Sequence, residues 1–268
     1  MMVAMEVTFL GTGTSHGIPM IGCDCAVCHS DNPHNNRLRP SIYVEGGNQG
    51  VLVDATPDFR AQALRANIRR VDAVLMTHTH ADHVFGLDDL RAFTVRDERK
   101  MPIYGSPHSV EAIRRVFPYA CVETPAWAGL PSFELHTVEP HQDFEVGGLK
   151  VRALPLLHGR MTVYGFLFGR DLAYVIDCNV VPPEVVAAIR GVTVLVLDAL
   201  RHRPHPSHLT IEQAQAVAGQ VGASLTLFTH LCHEAEHAAV EQGLPPAIRV
   251  AYDGMKIEVN DGEIRQLA

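Results

Sequence analysis

Residues 71–83 read VDAVLMTHTHADH. The apolar run 71–76 is typical of a buried strand. It leads directly into three imidazoles and a carboxylate, on His78, His80, Asp82 and His83. Metal ligation is the most common reason for grouping neutral imidazoles so densely. An H-x-H-x-D-H loop at a strand end can direct its first two histidines to one ion and its last two side chains to a second. The stretch therefore predicts two adjacent metals, which favour a hydrolase over a polar loop that merely contains histidine.

Length and composition favour one globular domain over residues 1–268. Of the 268 residues 47% are hydrophobic, enough to bury a large core. The formal net charge of -8 argues against a nucleic-acid partner, because such affinity comes largely from clustered Lys and Arg. The sequence has no apolar stretch of about 18 residues and no basic N-terminus followed by an apolar core. We therefore expect a cytoplasmic protein with a small-molecule substrate and no membrane partner.

Strand-like and helix-like segments follow one another in a mixed order. Apolar runs predict strands at residues 3–10, 41–45, 50–54, 72–76, 149–157, 162–168, 172–177, 192–198 and 224–229. Helical periodicity predicts helices at residues 57–66, 84–93, 109–117, 183–190, 211–221 and 234–242. Strands come in runs of two or three before a helix. This order favours the α/β class and an αββα sandwich, with two mixed sheets packed together and helices outside.

Two helix starts carry capping signals. Thr56 is predicted to be the N-cap of the first helix, with Pro57 at its first helical position. Thr210 and Gln213 fit a capping box. The proline-rich segment 118–133, which contains the only tryptophan, Trp127, is expected to be a loop.

Other strand ends must complete the metal site, since a two-metal centre needs about six or seven protein ligands. Three candidates each close a predicted apolar strand: His158, Asp177 and His230. Ligands at the same edge of two packed sheets can converge on one point. We therefore predict that these side chains meet the loop of residues 78–83.

The order of these ligands resembles the metallo-β-lactamase superfamily, in which H-x-H-x-D-H is followed by a histidine, an aspartate and a final histidine. The resemblance implies a first ion bound by His78, His80 and His158. It implies a second ion bound by Asp82, His83 and His230. It also implies that Asp177 bridges the two ions and that Asp54 supports the metal loop from behind. Taken alone, Asp54 is almost equally consistent with an aspartate at a helix entry.

Most of the chain is similar to the phosphoribosyl 1,2-cyclic phosphate phosphodiesterase family of phosphonate degradation. The shared motifs are TGT at 12–14, GCDCAVC at 22–28, LPLLH at 154–158, TH at 229–230 with His233, and DGM at 253–255. The resemblance implies a phosphoric diester hydrolase acting on a small cyclic or ribose-linked phosphodiester. By analogy, it also implies a homodimer.

The cysteines predict a structural zinc site in a loop near residues 22–29. A C-x-C-x-x-C spacing supplies three thiolates, from Cys23, Cys25 and Cys28. A closed tetrahedral zinc site needs a fourth nitrogen or sulfur ligand. His29 is sterically awkward as an immediate neighbour of another ligand, whereas His233 lies just beyond the predicted ligand His230, and the phosphodiesterase family implies His233. The alternatives are Cys232 as the fourth ligand, or a metal-free, redox-active group of thiols.

The expected chemistry is attack by hydroxide on a phosphodiester. Two ions about 3.5–4 Å apart lower the pKa of a shared water so that hydroxide exists at neutral pH. We expect zinc or manganese, or else iron, because such ligand sets follow metal availability as well as affinity. Asp82 counts as catalytic as well as ligating. The leaving alkoxide needs a general acid, for which His205 and His208 are candidates, and the resemblance favours His208.

Substrate identity is the least constrained prediction. Three arginines could bind a substrate phosphate or have structural roles: Arg37, Arg39 and Arg201. An RNase Z-like tRNA 3′-end endonuclease would share the metal ligands, but the acidic charge opposes it. A thioesterase, a lactonase or a β-lactamase is a further alternative. A di-iron redox enzyme usually has glutamate where this chain has His80, and a non-catalytic metal-binding protein would not need every expected ligand.

Overall fold

Two β-sheets lie face to face, and helices cover the outer side of each sheet. The computed structural model describes residues 4–123 and 129–267. Trp127, which the sequence places in a predicted loop, lies outside the described residues. No helix in the described part of the chain combines the length and the apolar character needed to cross a bilayer.

The strands and helices are numbered in chain order. The strands are β1 (Met5–Gly11), β2 (Ser41–Gly46), β3 (Gln49–Val53), β4 (Ala73–Leu75), β5 (Met101–Gly105), β6 (Phe133–Thr137), β7 (Asp143–Val146), β8 (Leu149–His158), β9 (Met161–Phe168), β10 (Leu172–Val175), β11 (Val194–Asp198), β12 (Leu225–Thr229), β13 (Ile248–Val250), β14 (Lys256–Asn260) and β15 (Glu263–Leu267). The α-helices are α1 (Phe59–Arg65), α2 (Ala81–Val84), α3 (Arg91–Thr94), α4 (Pro107–Val116), α5 (Pro183–Ala188), α6 (Ile211–Val221) and α7 (His237–Gln242). Short 3₁₀ helices span Pro33–Asn35, Leu87–Leu90 and Pro118–Ala120.

Both sheets contain parallel and antiparallel pairs. Over the described residues, the first sheet has the order β15-β14-β1-β2-β3-β4-β5-β6 and the second has the order β13-β12-β11-β10-β9-β8-β7. Apolar side chains from both sheets fill the space between them, among them Phe9, Val53, Phe166 and Val196. Further cores lie beneath α1 to α4 on the first sheet and beneath α5 to α7 on the second. The αββα prediction is confirmed, whereas the single-domain assignment of residues 1–268 stays a prediction.

Several short strands escaped the sequence analysis, namely β5, β6, β7, β13, β14 and β15. β13 has three residues and β7 has four, too few to show a period of two. β15 lies at a sheet edge, and its side chains are exposed or only half-buried. Strands without a buried face lack the apolar pattern on which such a prediction depends.

The first helix starts later than its sequence predicts. α1 begins at Phe59, and Asp58 occupies the N-cap position without a side-chain cap. The hydroxyl of Thr56 instead accepts the Asp58 N–H at 3.1 Å and lies 3.0 Å from Gln62 Oε1. The prediction that Thr56 caps a helix with Pro57 at its first position is therefore wrong. The threonine hydroxyl is used within the turn that precedes the helix.

The predicted helix over residues 84–93 is broken near Gly86. α2 ends at Val84, and a 3₁₀ turn intervenes before α3. A Cβ on Gly86 would lie 2.0 Å from the carbonyl oxygen of Thr56, and the Gly86 N–H donates to Ala55 at 2.8 Å. The glycine thus packs directly against backbone, and this close approach fixes the loop that carries the metal motif.

The capping box of α6 is present as predicted. The Gln213 N–H donates to the Thr210 hydroxyl at 3.2 Å, and the Thr210 N–H donates to the Gln213 side chain at 2.8 Å. We expect Thr210→Ala to lower the free energy of unfolding by about 1 kcal/mol. Denaturant titration measures this loss. Thr137→Ala, which alters an exposed strand residue, is the control, and an equal loss in both variants would contradict the capping role.

Candidate metal centre

The predicted ligands gather at one edge of the sandwich, where strands of both sheets end. The H-x-H-x-D-H loop follows β4 and continues into α2, which contains Asp82 and His83. His158 is the last residue of β8, Asp177 follows β10, and His230 follows β12. The fold therefore brings together the side chains that the strand-end argument selected.

The backbone turns sharply at several of these strand ends. Asp54, Asp177 and His230 have positive φ angles of 61°, 53° and 62°. The left-handed conformation costs a residue with a Cβ about 1–2 kcal/mol. Such conformations concentrate at functional sites, where the surrounding structure holds them in place. All three residues belong to the arrangement described below, so the strain coincides with the candidate site.

One group of ligand atoms comes from histidines alone. His78, His80 and His158 each offer a nitrogen, and these atoms lie within 4.8 Å of one another. His158 Nδ1 lies 2.9 Å from the carbonyl oxygen of Ser207, which favours a proton on that nitrogen and leaves Nε2 as the ligating atom. Burial lowers the pKa of His158, so the ring is neutral at pH 7, as a metal ligand must be.

A second group adjoins the first. Asp82, His83 and His230 offer ligand atoms within 4.8 Å of one another. Asp177 lies between the rings, with Oδ2 3.2 Å from His83 Nε2 and Oδ1 3.3 Å from His230 Nε2. Its carboxylate also forms a group with His78 and His83, and another with His158 and His208. Asp177 therefore has the position expected of a bridge between the two groups.

The carboxylates of the site are held in the charged form. Burial opposes the charge of Asp177, but His230 and His83 outweigh it and lower its pKa well below the ordinary value. Burial also opposes the charge of Asp82, but the His83 ring, whose Nε2 lies 3.3 Å from Asp82 Oδ2, more than compensates, so the pKa of Asp82 is lowered as well. Burial lowers the pKa of His230, yet the neighbouring carboxylates raise it to about 9. The site thus has a negative field that attracts a cation.

The donor set can be tested for its fit to metal ions. Among the described residues, several buried ligand atoms have no hydrogen-bond partner: His83 Nε2, Asp177 Oδ2 and both ring nitrogens of His230. Such atoms cost about 1–3 kcal/mol each if they stay unsatisfied. Imidazole nitrogen and carboxylate oxygen are ordinary ligands of divalent transition metals. The residues therefore fit two ions, one at each group, with Asp177 shared.

Asp54 lies behind the metal loop. Its side chain is fully buried, and Oδ2 is 2.8 Å from His83 Nδ1 and accepts the Thr77 hydroxyl at 2.7 Å. Oδ1 accepts the Thr77 N–H at 2.9 Å. These contacts orient the His83 ring so that Nε2 faces Asp177. The hydrogen bonds of Asp54 therefore favour a role in supporting the metal loop. An aspartate at a helix entry is less consistent with the structure, because the residue that directly precedes α1 is Asp58.

Replacing Asp54 with asparagine should weaken metal binding at the second group by about 10–100-fold. The amide keeps the shape of the side chain but cannot accept hydrogen bonds from all the donors that now surround it. A titration with metal, monitored by calorimetry, measures the affinity of this group for the metal ion. Asp143→Asn, which alters an exposed ion pair with Arg152, is the control. Equal affinity in Asp54→Asn and the native protein would exclude the supporting role.

His208 lies beside the metal groups, and an aspartate that the sequence analysis missed stands behind it. His208 stacks on His230 with ring centroids 4.8 Å apart, and its Nδ1 is 3.1 Å from Asp198 Oδ2. Asp198 Oδ1 lies 3.6 Å from His230 Nδ1, and the Asp198 side chain is fully buried. Asp198 thus supports a candidate acid and a candidate ligand together. It ends β11, so the strand-end argument could have found it.

The neighbours of His205 differ from those of His208. Its Nδ1 is 3.3 Å from both the N–H and the hydroxyl of Ser207, and its ring centroid is 4.9 Å from that of His208. His205 and His208 line a cleft of about 200 Å³ between the 14–17 turn and residues 200–208. A larger groove of about 860 Å³ lies at the opposite end of β8 and is lined by none of the predicted site residues.

The cysteine loop meets the segment that follows His230. Cys23, Cys25, Cys28 and His233 place their ligand atoms within 4.8 Å of one another. His233 Nδ1 lies 3.2 Å from Cys23 Sγ and 3.5 Å from Cys25 Sγ. A hydrogen bond from the Cys28 N–H lowers the pKa of the Cys25 thiol to about 6, which favours a thiolate. The four side chains fit a closed zinc site, and neither His29 nor Cys232 belongs to this group.

The three arginines differ in their surroundings. Arg37 is buried and cannot reach a substrate. Arg39 pairs with Asp58 at 3.0 Å, and its Nε donates to the Ser15 carbonyl oxygen. Arg201 lines the small cleft, but its guanidinium pairs with Glu234 at 2.5 Å. Only Arg201 of the three therefore adjoins the cleft of the metal groups.

A family model described as a beta-lactamase superfamily domain matches residues 49–231, which contain every predicted catalytic metal ligand. The chain belongs to the metallo-β-lactamase superfamily. It is similar over its whole length to a crystal structure of a diphosphatase from the PhnP family, with 39% identity, full coverage of both chains and a TM-score of 0.89. The predicted recognition is confirmed at this level, and the family and this neighbour support a metal-dependent hydrolase.

Two curated relatives of this superfamily member carry other names. An octanoyltransferase of Porphyromonas gingivalis is 38% identical over 267 residues, which cover 97% of this chain and 53% of the relative. A ribonuclease Z of Mycobacterium sp. (strain KMS) is 26% identical, with coverage of 96% and 97%. The chain thus spans about half the length of the octanoyltransferase. That name describes the longer protein and does not by itself assign an activity to the aligned half.

Proposed function

We propose that this superfamily hydrolase cleaves a small phosphodiester with two divalent cations. The observation that carries the proposal is the meeting of two ligand groups, each within 4.8 Å, at Asp177, whose ligand atom also lies within 4.8 Å of those of His78, His83 and His158. His78, His80 and His158 would hold one cation, and Asp82, His83 and His230 the other. Zinc or manganese suits these ligands, and iron is compatible with them. The similarity to a PhnP-family diphosphatase supports phosphorus–oxygen chemistry.

When bound, the two cations would supply an activated water and neutralise the non-bridging oxygens of the phosphodiester. The chain's own residues fix the geometry. Asp54 holds the ring of His83, and the Ser207 carbonyl holds that of His158. Because these rings are locked from behind, substrate binding requires little rearrangement of the ligands.

We assign the general acid to His208. Asp198 accepts from its Nδ1, which leaves Nε2 to carry a proton to the leaving oxygen. The His208 side chain is 11% exposed, so it is close to the ligands yet open to the cleft. His205 has no carboxylate partner within 4.0 Å among the described residues, and burial lowers its pKa. This contrast supports His208 over His205, and Asp82 then acts through its ligand role.

A small substrate suits the cleft better than tRNA does. The cleft that His205 and His208 line has a volume of only about 200 Å³, which favours a small substrate. The net charge of -8 also opposes binding of a long polyanion. A phosphoribosyl cyclic phosphate is therefore our first candidate. The second is an RNase Z-like endonuclease, favoured by the whole-length similarity to ribonuclease Z.

We also propose that Cys23, Cys25, Cys28 and His233 hold a structural zinc. Three thiol groups and one imidazole match the ligand types and number of closed zinc sites. A cytoplasmic location and a homodimer stay predictions.

A substrate panel tests the proposed function. The protein is reconstituted with zinc or manganese and assayed on bis-p-nitrophenyl phosphate, ribose cyclic phosphates, a tRNA precursor, a lactone and a thioester. We expect turnover of the small phosphodiesters and little turnover of the others. Cleavage of the tRNA precursor alone would favour the endonuclease, and turnover of the lactone or thioester alone would overturn both.

A further inference from the structure

Arg37 is a buried cation that lacks a carboxylate partner. The residue is 1% exposed, and the side-chain hydrogen bonds found among the described residues go to carbonyl and amide oxygens, not to carboxylates. Burial lowers its pKa to about 10, so the group stays charged at neutral pH. A buried charge is costly unless hydrogen bonds compensate for it. The hydrogen bonds of the guanidinium therefore indicate the structural role of Arg37.

All the hydrogen-bond acceptors of the Arg37 side chain are neutral oxygens. Nε donates to the His34 carbonyl at 3.3 Å, and Nη1 donates to the Cys232 carbonyl at 3.3 Å. Nη2 donates to Asn35 Oδ1 at 3.2 Å and to the Ala235 carbonyl at 3.0 Å. Two of these acceptors lie almost 200 residues away along the chain. The guanidinium thus clamps the backbone on both sides of His233.

The backbone of Arg37 reaches the other half of the cysteine site. Its N–H donates to the Ile18 carbonyl, and the Ile18 N–H donates to the Arg37 carbonyl, both at 2.8 Å. The chain from Ile18 leads into the cysteine loop. On the other side, the clamped segment begins two residues after His230. Arg37 therefore contacts backbone that leads into the cysteine loop and backbone that lies next to His230 and His233.

We propose that Arg37 is a positioning residue that couples the cysteine site to the catalytic centre by fixing residues 232–235. The inference rests on the two kinds of metal site in the proposed function. A planar guanidinium can serve four acceptors in fixed directions, whereas a lysine ammonium has three donors on a flexible stem. Loss of Arg37 should let His233 leave the thiolates more often and shift His230 within its group.

Cobalt(II) in place of zinc provides the test. Sulfur-to-cobalt charge-transfer absorption reports the cysteine site alone, since the catalytic ligands contain no sulfur. In Arg37→Met we expect this absorption to disappear at least about tenfold faster on addition of EDTA than in the native protein. On bis-p-nitrophenyl phosphate, kcat should fall while KM changes by less than about twofold, because only the position of a ligand is altered.

Ile113→Ala is the matched control, because it opens a buried site in α4 and changes none of the candidate metal ligands or the contacts of Arg37. It should keep the native rate of cobalt loss at temperatures well below unfolding. If Arg37→Met does not fold, Arg37→Lys replaces it, with a smaller acceleration expected. An unchanged rate of cobalt loss in the folded variant, or no thiolate–cobalt absorption in the native protein, overturns the inference. Native protein that shows the absorption but hydrolyses no phosphodiester instead contradicts the proposed function.

Discussion

Asp177→Asn is expected to lower phosphodiester hydrolysis by at least about a thousandfold, since metal-assisted catalysis supplies several kcal/mol of transition-state stabilisation. Asp177 lies between His83 and His230, with oxygen-to-nitrogen distances of 3.2 and 3.3 Å. An amide of the same shape removes the negative charge that the two ligand groups share. Steady-state assays together with metal analysis should show fewer than two catalytic ions per chain.

The control for this variant is Asp171→Asn. Asp171 is also buried, and it precedes β10 whereas Asp177 follows it, so the two carboxylates lie at opposite ends of one strand. The Asp171 variant can lose stability, but it should keep its metals and its kcat. Full activity in Asp177→Asn, or equal losses of metal in both variants, would show that Asp177 does not bridge ions.

The effect of His208→Ala on kcat is expected to depend on the leaving group of the substrate. For a ribose or alkyl leaving group, loss of a general acid should lower kcat by about 10²–10⁴-fold. For p-nitrophenolate, which leaves without protonation, the decrease should be below about tenfold. Metal content should stay unchanged, because His208 is assigned to proton transfer and its Nδ1 contacts Asp198. Loss of a metal ion would instead show that His208 is a ligand together with His158 and Asp177, whose ligand atoms lie within 4.8 Å of its own.

His205→Ala and His202→Ala are the comparisons for His208. His202 lies on the same loop and pairs with Glu212 on the exposed surface, so its loss should leave both activities intact. If His205→Ala reproduces the leaving-group dependence and His208→Ala does not, the assignment of the acid is wrong. If all three variants retain activity on alkyl leaving groups, no histidine of this loop is the acid.

Much of the site could be predicted because its ligands obey a positional rule. His158, Asp177 and His230 each end an apolar strand, and strands of two packed sheets end at the same edge. The fourth member of the cysteine group could be predicted only with the help of a family resemblance. Spacing favours His233 over its neighbours weakly, whereas the structure places its ring 3.2 Å from Cys23 Sγ.

Other features depend on contacts between distant residues that local patterns do not show. The sequence allows Arg37 either a phosphate-binding or a structural role, whereas the structure buries it against the carbonyl groups of Cys232 and Ala235. Gly86 interrupts a helical pattern because its backbone meets Thr56. The short strands β7 and β13 exist because a neighbouring strand pairs with them, not because of their own periodicity.

The most direct test of the account is anomalous diffraction from crystals of the metal-loaded protein, recorded at the absorption edge of the bound metal. At the catalytic centre we predict two peaks about 3.5–4 Å apart, both next to Asp177 and separate from any peak at the cysteine site. One should contact His78, His80 and His158, and the other should contact Asp82, His83 and His230. A single peak at the catalytic centre, or peaks that leave Asp177 without a metal contact, would contradict the two-cation centre.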